Sequence, residues 1–224
     1  MNRQAGAFLG TLDRPKVEVL SGMALEINPT LEIHRLEGAV DAANADDFLD
    51  GADVYVDGLD FFVIEARRAV FAAARRRGIP AVTAAPLGMG AALLVFTPDG
   101  MAFDDYFQLE GLPPEEQALR FMAGLAPAGL QIGYLADPSR VDFTAGYGPS
   151  TPMGCELCAG MAATEVLKIV LQRGRVRAAP HGLHFDAYRG RLARTWRPWG
   201  NRNPLQRLLV AVARRRVRTH TGGR

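Results

Sequence analysis

Apolar positions recur along this chain at two spacings, and the changes from one to the other mark its elements. Over Arg14–Asn28, Val17, Leu20, Ala24 and Ile27 fall at helical spacing, in a segment that Pro15 opens and Asn28-Pro29 closes. Leu31–Leu36 alternates with period two and predicts a half-buried strand. A short helical stretch at Ala42–Leu49 leads to an apolar strand at Asp53–Asp57. Phe61–Arg77 then predicts a strong helix, closed by Gly78 just past a basic last turn. Ala81–Ala85 and Ala91–Phe96 read as two strands joined through Pro86 and Gly88. Strand and helix in this alternation are the grammar of a parallel, doubly wound α/β sheet. From Thr97 to Ser150 the pattern loosens, with one helix expected at Pro114–Gly124. Glu156–Leu171 predicts another helix, and Val176–Ala179 with Leu183–Tyr188 a hairpin. Pro204–Val217 predicts an amphipathic basic helix, or a disordered tail that forms one on contact.

Composition narrows the class. A length of 224 residues suits one sizeable domain, and 48% hydrophobic against 22% charged residues excludes a disordered chain. No apolar run approaches the ~18 residues of a membrane span, and Met1-Asn2-Arg3-Gln4 lacks the apolar core of a signal peptide. Two cysteines, Cys155 and Cys158, are too few for a disulfide scaffold and suit a reducing compartment, so the cytoplasm is the expected location. The net charge of +2 belongs to one end: seven arginines and no acidic residue lie between Arg202 and Arg224, and the rest of the chain is mildly acidic. Lys16 and Lys168 are the only lysines. In so Arg-rich a chain, a retained ammonium invites a search for its task, although chance accounts for it equally well.

Four strings carry chemistry: Asn2-Arg3-Gln4; Pro15-Lys16-Val17-Glu18 with Ile27-Asn28-Pro29; Asp57-Gly58-Leu59-Asp60; and Ala163-Thr164-Glu165-Val166-Leu167-Lys168. In this order and at this spacing the chain resembles the ThiF/MoeB/HesA family of ubiquitin-activating-enzyme-like adenylyltransferases, over roughly 2–171. The resemblance implies a Rossmann-like doubly wound α/β fold at 1–200, followed by a basic tail at 201–224. It also implies an ATP- and Mg2+-dependent adenylyltransferase that activates a carboxylate, on a ubiquitin-like or sulfur-carrier protein, a peptide or a small molecule, and that works as a homodimer in its intact form. Such an enzyme spreads positive charge over a polyphosphate and holds a metal ion. By resemblance, Arg3 would contact phosphate, Gln4 would help position the nucleotide, Lys16 would neutralise charge near the α-phosphate, and Asp60 would bind the Mg2+. The bland alternatives are a frayed terminus for Arg3 and Gln4, an exposed first-turn lysine, and an aspartate that only caps the helix beginning at Phe61. Glu165 and Lys168 read as a surface pair outside the site.

The chain also departs from the family. There a strand, a GxGxxG turn, a helix and a second strand precede the Asn-Arg-Gln string, and the glycine turn brings backbone N–H groups to the phosphates. The sequence here begins at Met1, so the expectation is a half-site, inactive by itself. It is expected to be unstable too, or to close by another pairing the gap between the strands at Leu31–Leu36 and Asp53–Asp57. Phe61 stands where the family usually has Asn after the metal-site aspartate, and the arginine that follows comes later, at Arg67. One Cys-x-x-Cys supplies two ligands where structural zinc wants four, so zinc is not expected. Packing at a helix start is favoured for these cysteines over a redox or sulfur-transfer pair. A non-catalytic scaffold or dimerisation partner is the alternative function. The terminal Gly222-Gly223 reads as flexible tail. The arginine-rich segment could meet nucleic acid or an anionic membrane face, and the favoured reading is a solvated tail or a helix on an acidic partner domain.

Overall fold

The computed structural model describes residues 4–36, 38–134 and 151–221, with the backbone alone from 216 onward. The chain divides into two compact units, Met1–Ala39 and Val40–Arg224.

The first unit is built on α1 (Lys16–Ile27), preceded by a 3-10 turn at Leu9–Thr11. Pro15 sits at its N-cap, and Arg14 pairs with Glu18 across one turn at 2.7 Å. Asn28 ends the helix, and its side chain takes the Thr30 N–H at 3.2 Å in a local turn. The strand expected at Leu31–Leu36 does not form. A period-two pattern becomes a strand only when a neighbour accepts its ladder bonds, and no strand pairs with this segment among the described residues.

The second unit holds α2 (Ala45–Phe48), β1 (Tyr55–Asp57), α3 (Ile64–Arg76), β2 (Ala81–Leu87), β3 (Gly90–Phe96), α4 (Phe103–Phe107) and α5 (Pro114–Leu125). After these come α6 (Pro152–Val170), β4 (His181–Asp186), β5 (Arg191–Trp196) and α7 (Pro204–Thr221). The five strands form one mixed sheet in the order β1-β2-β3-β4-β5. Only β1 and β2 are parallel, joined through α3; the other three pairings are antiparallel. The expectation of a parallel sheet therefore stops at β2. Two residues, Gly88 and Met89, separate β2 from β3, and so short a loop can reverse the chain but not carry it across a sheet. Gly88 supplies the positive φ, +59°, that the reversal needs. The expected late hairpin is real but shifted: Val176–Ala179 stays outside the sheet, and β5 takes the partner's place. Its sequence, Arg-Leu-Ala-Arg-Thr-Trp, lies on an exposed edge and carries almost no apolar alternation.

Helices cover both faces of the sheet. On one, α3, α4 and α5 close over an aromatic core. Phe71 and Phe103 rings lie 4.3 Å apart, Phe103 and Phe107 4.6 Å, and Phe107 and Phe121 4.9 Å. On the other, α6 packs over Val82, Leu93 and Val95 through Ala162. Thr151 starts α6 by accepting from Gly154 N at 3.2 Å, and its hydroxyl donates to Gly88 O at 2.8 Å, fastening the helix to the β2–β3 turn. The basic C-terminal segment is a helix, and α7 docks on α5. Gln206 Nε2 donates to Ala123 O at 2.5 Å and Arg214 pairs with Glu116, while Asn201, just ahead of α7, donates from Nδ2 to Phe107 O of α4 at 2.7 Å. The outer edge of β1 has no strand partner among the described residues, so neither flank of the expected gap is closed by another pairing there.

Candidate functional site

Asp57 is the last residue of β1, and its carboxylate is buried. A buried charge survives only when its lone pairs are satisfied. Arg67, one turn into α3 and equally buried, donates from Nε to Asp57 Oδ2 at 2.8 Å. Thr83 of β2 donates to the same oxygen at 2.7 Å, and Oδ1 accepts from Leu59 N at 3.2 Å and Tyr55 OH at 3.3 Å. Burial first, then the Asp57 charge, pushes the Tyr55 phenol far above its ordinary range, so it stays a donor.

The rest of the guanidinium holds the loop. Nη2 donates to Leu59 O at 2.6 Å and Asp60 O at 3.1 Å, and Nη1 to Phe61 O at 3.3 Å. Its Cζ lies over the Phe121 ring, 4.7 Å from the centroid. One arginine thus ties the strand-end carboxylate to three successive carbonyls of the loop that follows, a task for a planar fork with five donors that a lysine could not perform. Asp60 rides on this loop. Its Oδ1 accepts from Phe62 N at 3.1 Å, and the residue is exposed at the C-terminal end of a strand, where open α/β sheets place ligands. The aspartate does not cap the helix: α3 starts later, at Ile64, with Val63 at the N-cap. One exposed carboxylate fits Mg2+, which takes one or two carboxylates and fills its remaining positions from water and phosphate. Among the described residues, no cluster of three or more His, Cys, Asp or Glu could hold a metal by itself.

The other expected residues lie in the first unit. Gln4 is exposed, and its carbonyl accepts from Ala7 N at 3.1 Å. Lys16 opens α1, exposed and with no side-chain partner among the described residues. Arg3 lies outside the described residues. Glu165 and Lys168, expected as a surface pair, do pair on α6 at 2.5 Å, with Glu165 nearly buried. Cys155 and Cys158 are free thiols near the start of α6. Burial, then the charges of Cys155 and Asp57, push the Cys158 thiol up to about 11, which keeps it protonated and argues against a nucleophilic pair.

Sequence reasoning passed over Thr83, Phe121 and the role of Arg67. A signal existed for the first: Thr83 is the lone hydroxyl in the apolar run Ala81–Ala85. Phe121 is 64 residues beyond the end of β1 in an amphipathic helix, and nothing local marks it.

A family model described as the ThiF family matches residues 1–208. No curated protein matches the chain. Among solved structures, PaaA shares 12% identity at a TM-score of 0.59, over 87% of this chain and 51% of its own. E. coli MccB solved with ATP shares 13% at 0.60, over 87% and 51%. E. coli MccB solved with MccA shares 14% at 0.60, over 92% and 55%. The chain spans about half the length of the solved structures it matches. At these identities the likeness is one of fold, and it is the Rossmann-like α/β fold that the four strings imply. With the family model running from the first residue into α7, the chain belongs to the ThiF family.

Proposed function

We infer that this chain works as part of an ATP-dependent adenylyltransferase that activates a carboxylate, joining it to the α-phosphate of ATP with release of pyrophosphate. The observation that carries this reading is the Asp57–Arg67 clamp, which holds the Asp60 carboxylate exposed beside a strand end. Bound Mg2+ would draw on Asp60 and supply positive charge against the phosphates. Lys16 would add a second cation, and Arg3 and Gln4 would meet phosphate and nucleotide. Support also comes from a neighbour in fold: MccB has been solved with ATP and with MccA, a nucleotide and a second component. The activated carboxylate belongs to a ubiquitin-like or sulfur-carrier protein, a peptide or a small molecule, and the intact enzyme is a homodimer in the cytoplasm.

A second reading, a non-catalytic scaffold or dimerisation partner, is favoured by Phe61. Where the family usually places Asn, this ring packs 4.9 Å from Phe62 and 5.2 Å from Phe121, extending the core instead of presenting a polar group. ATP–pyrophosphate exchange on the protein extended at its N-terminus by the strand, GxGxxG turn, helix and strand of a family member, offered carrier-protein, peptide and small carboxylate donors, separates the two. Adenylation predicts exchange that falls by about 100-fold or more in Asp60→Ala and in Lys16→Ala, with thermal stability unchanged. Exchange absent with every donor, or undiminished in Asp60→Ala, selects the scaffold.

A further inference from the structure

The stretch from β5 into α7 exposes more apolar surface than docking on α5 accounts for. Trp196 is 61% exposed and Trp199 65%, and they are the only two tryptophans in the chain. Along α7, Gln206 and Val210 face α5 and are buried, while Leu205, Leu208 and Val212 recur at helical spacing on the opposite side, 62%, 62% and 40% exposed. Leu209 flanks them. Arg207 and Arg215 border this stripe, both exposed and neither with a carboxylate partner among the described residues. From Arg202 to Arg224 there is no acidic residue at all.

Trp199 also has an unusual backbone. It sits at φ +64°, a left-handed conformation that bulky residues avoid, just ahead of the turn into α7. Indole rings and leucines left in water beside Arg207 and Arg215, which have no carboxylate partner among the described residues, suit a surface that is apolar below and anionic above. We propose that α7 and the tryptophan-bearing approach to it form a peripheral docking surface for an anionic lipid bilayer. The leucine stripe and indoles enter the boundary between headgroups and acyl chains, and the arginines meet the lipid phosphates. The helix lies on the membrane and does not cross it, since no helix among the described residues is long and apolar enough to do so. A nucleic acid would also attract the arginines and could stack on the indoles, but it offers nothing to Leu205, Leu208 and Val212. The charge complementarity and the aliphatic stripe together select lipid.

Both tryptophans report directly. Full-length protein is mixed with vesicles of phosphatidylcholine alone and with vesicles that also contain phosphatidylglycerol, and tryptophan emission and co-sedimentation are followed. The expected result is a shift of emission to shorter wavelength and pelleting with the anionic vesicles only, both reversed by high salt. Leu205→Ser, Leu208→Ser and Val212→Ser combined, or Arg207→Glu with Arg215→Glu, weaken vesicle binding by about tenfold or more. All five positions are exposed, so the thermal midpoint of each variant should match the parent. Overturning results are no response to anionic vesicles, equal binding to uncharged ones, undiminished binding by the serine variant, or binding of a single-stranded oligonucleotide without any binding of vesicles.

Discussion

Arg67 and Asp57 show what a single buried pair decides. Removing either partner leaves the other charged and dry, so Arg67→Ala or Asp57→Ala should cost about 3–5 kcal/mol in chemical denaturation. Thr83→Val removes one neutral donor from the same carboxylate and should cost about 1–2 kcal/mol. Asp60→Ala, exposed on the held loop, should change stability by less than about 0.5 kcal/mol, which separates its proposed metal role from a structural one. A Thr83→Val protein as damaged as Arg67→Ala would contradict this ranking. His184 makes the opposite prediction. Its ring is buried on β4 and neither nitrogen has a hydrogen-bond partner among the described residues. Burial therefore lowers its pKa below 6.5, partly opposed by the charge of Asp186. Below 6.5 the unfolded chain binds a proton that the folded chain resists, so stability present at neutral pH is lost as pH falls through the lowered value. His184→Leu should raise the thermal midpoint at pH 7 and flatten its decline below pH 6.5. A variant that melts lower and keeps the full acid slope would mean that the ring has a role the fold does not show.

At the scale of elements, glycine placement controls the sheet. Gly90 begins β3, and a Cβ there would overlap the carbonyl of Phe185 across the β3–β4 ladder. Gly90→Ala must therefore push backbone against backbone, and a loss of about 1–3 kcal/mol or more is expected in equilibrium unfolding. Full stability would show that β4 can slide away from β3. The helices α1, α3, α5, α6 and α7 were legible from apolar spacing, with ends off by a few residues. Elements defined by pairing were harder to read. Leu31–Leu36 has the alternation of a strand and no strand partner among the described residues, whereas β5 has a partner and almost no alternation. α4 lies in the stretch where the pattern loosens, a five-residue helix whose three aromatic side chains are all buried and leave no amphipathic stripe to detect.

Across the whole second unit, the basic end of the chain turns out to be joined to the body. Burial alone would raise the pKa of Glu116, but hydrogen bonds from Arg214 and Arg120 outweigh it and hold the carboxyl below its ordinary range. That contribution is present above the ordinary carboxylate range and disappears as pH falls through the lowered value. Ending the chain after Asn203 removes this pair together with the buried Val210 and the Gln206 bond, and should lower stability by about 2 kcal/mol or more. An unchanged thermal midpoint would return α7 to the status of a solvated tail. The sequence by itself determined the family, the α/β class, the principal helices and the Asp57–Asp60 string, because these depend on residue types at short, regular spacing. Only the tertiary structure decided that the sheet is mixed, that Arg67 grips three loop carbonyls beneath Phe121, and that α7 turns its leucines outward. Each of these depends on which groups meet in space and not on residue type at regular spacing, and whether a side chain is buried or exposed is settled by what packs against it.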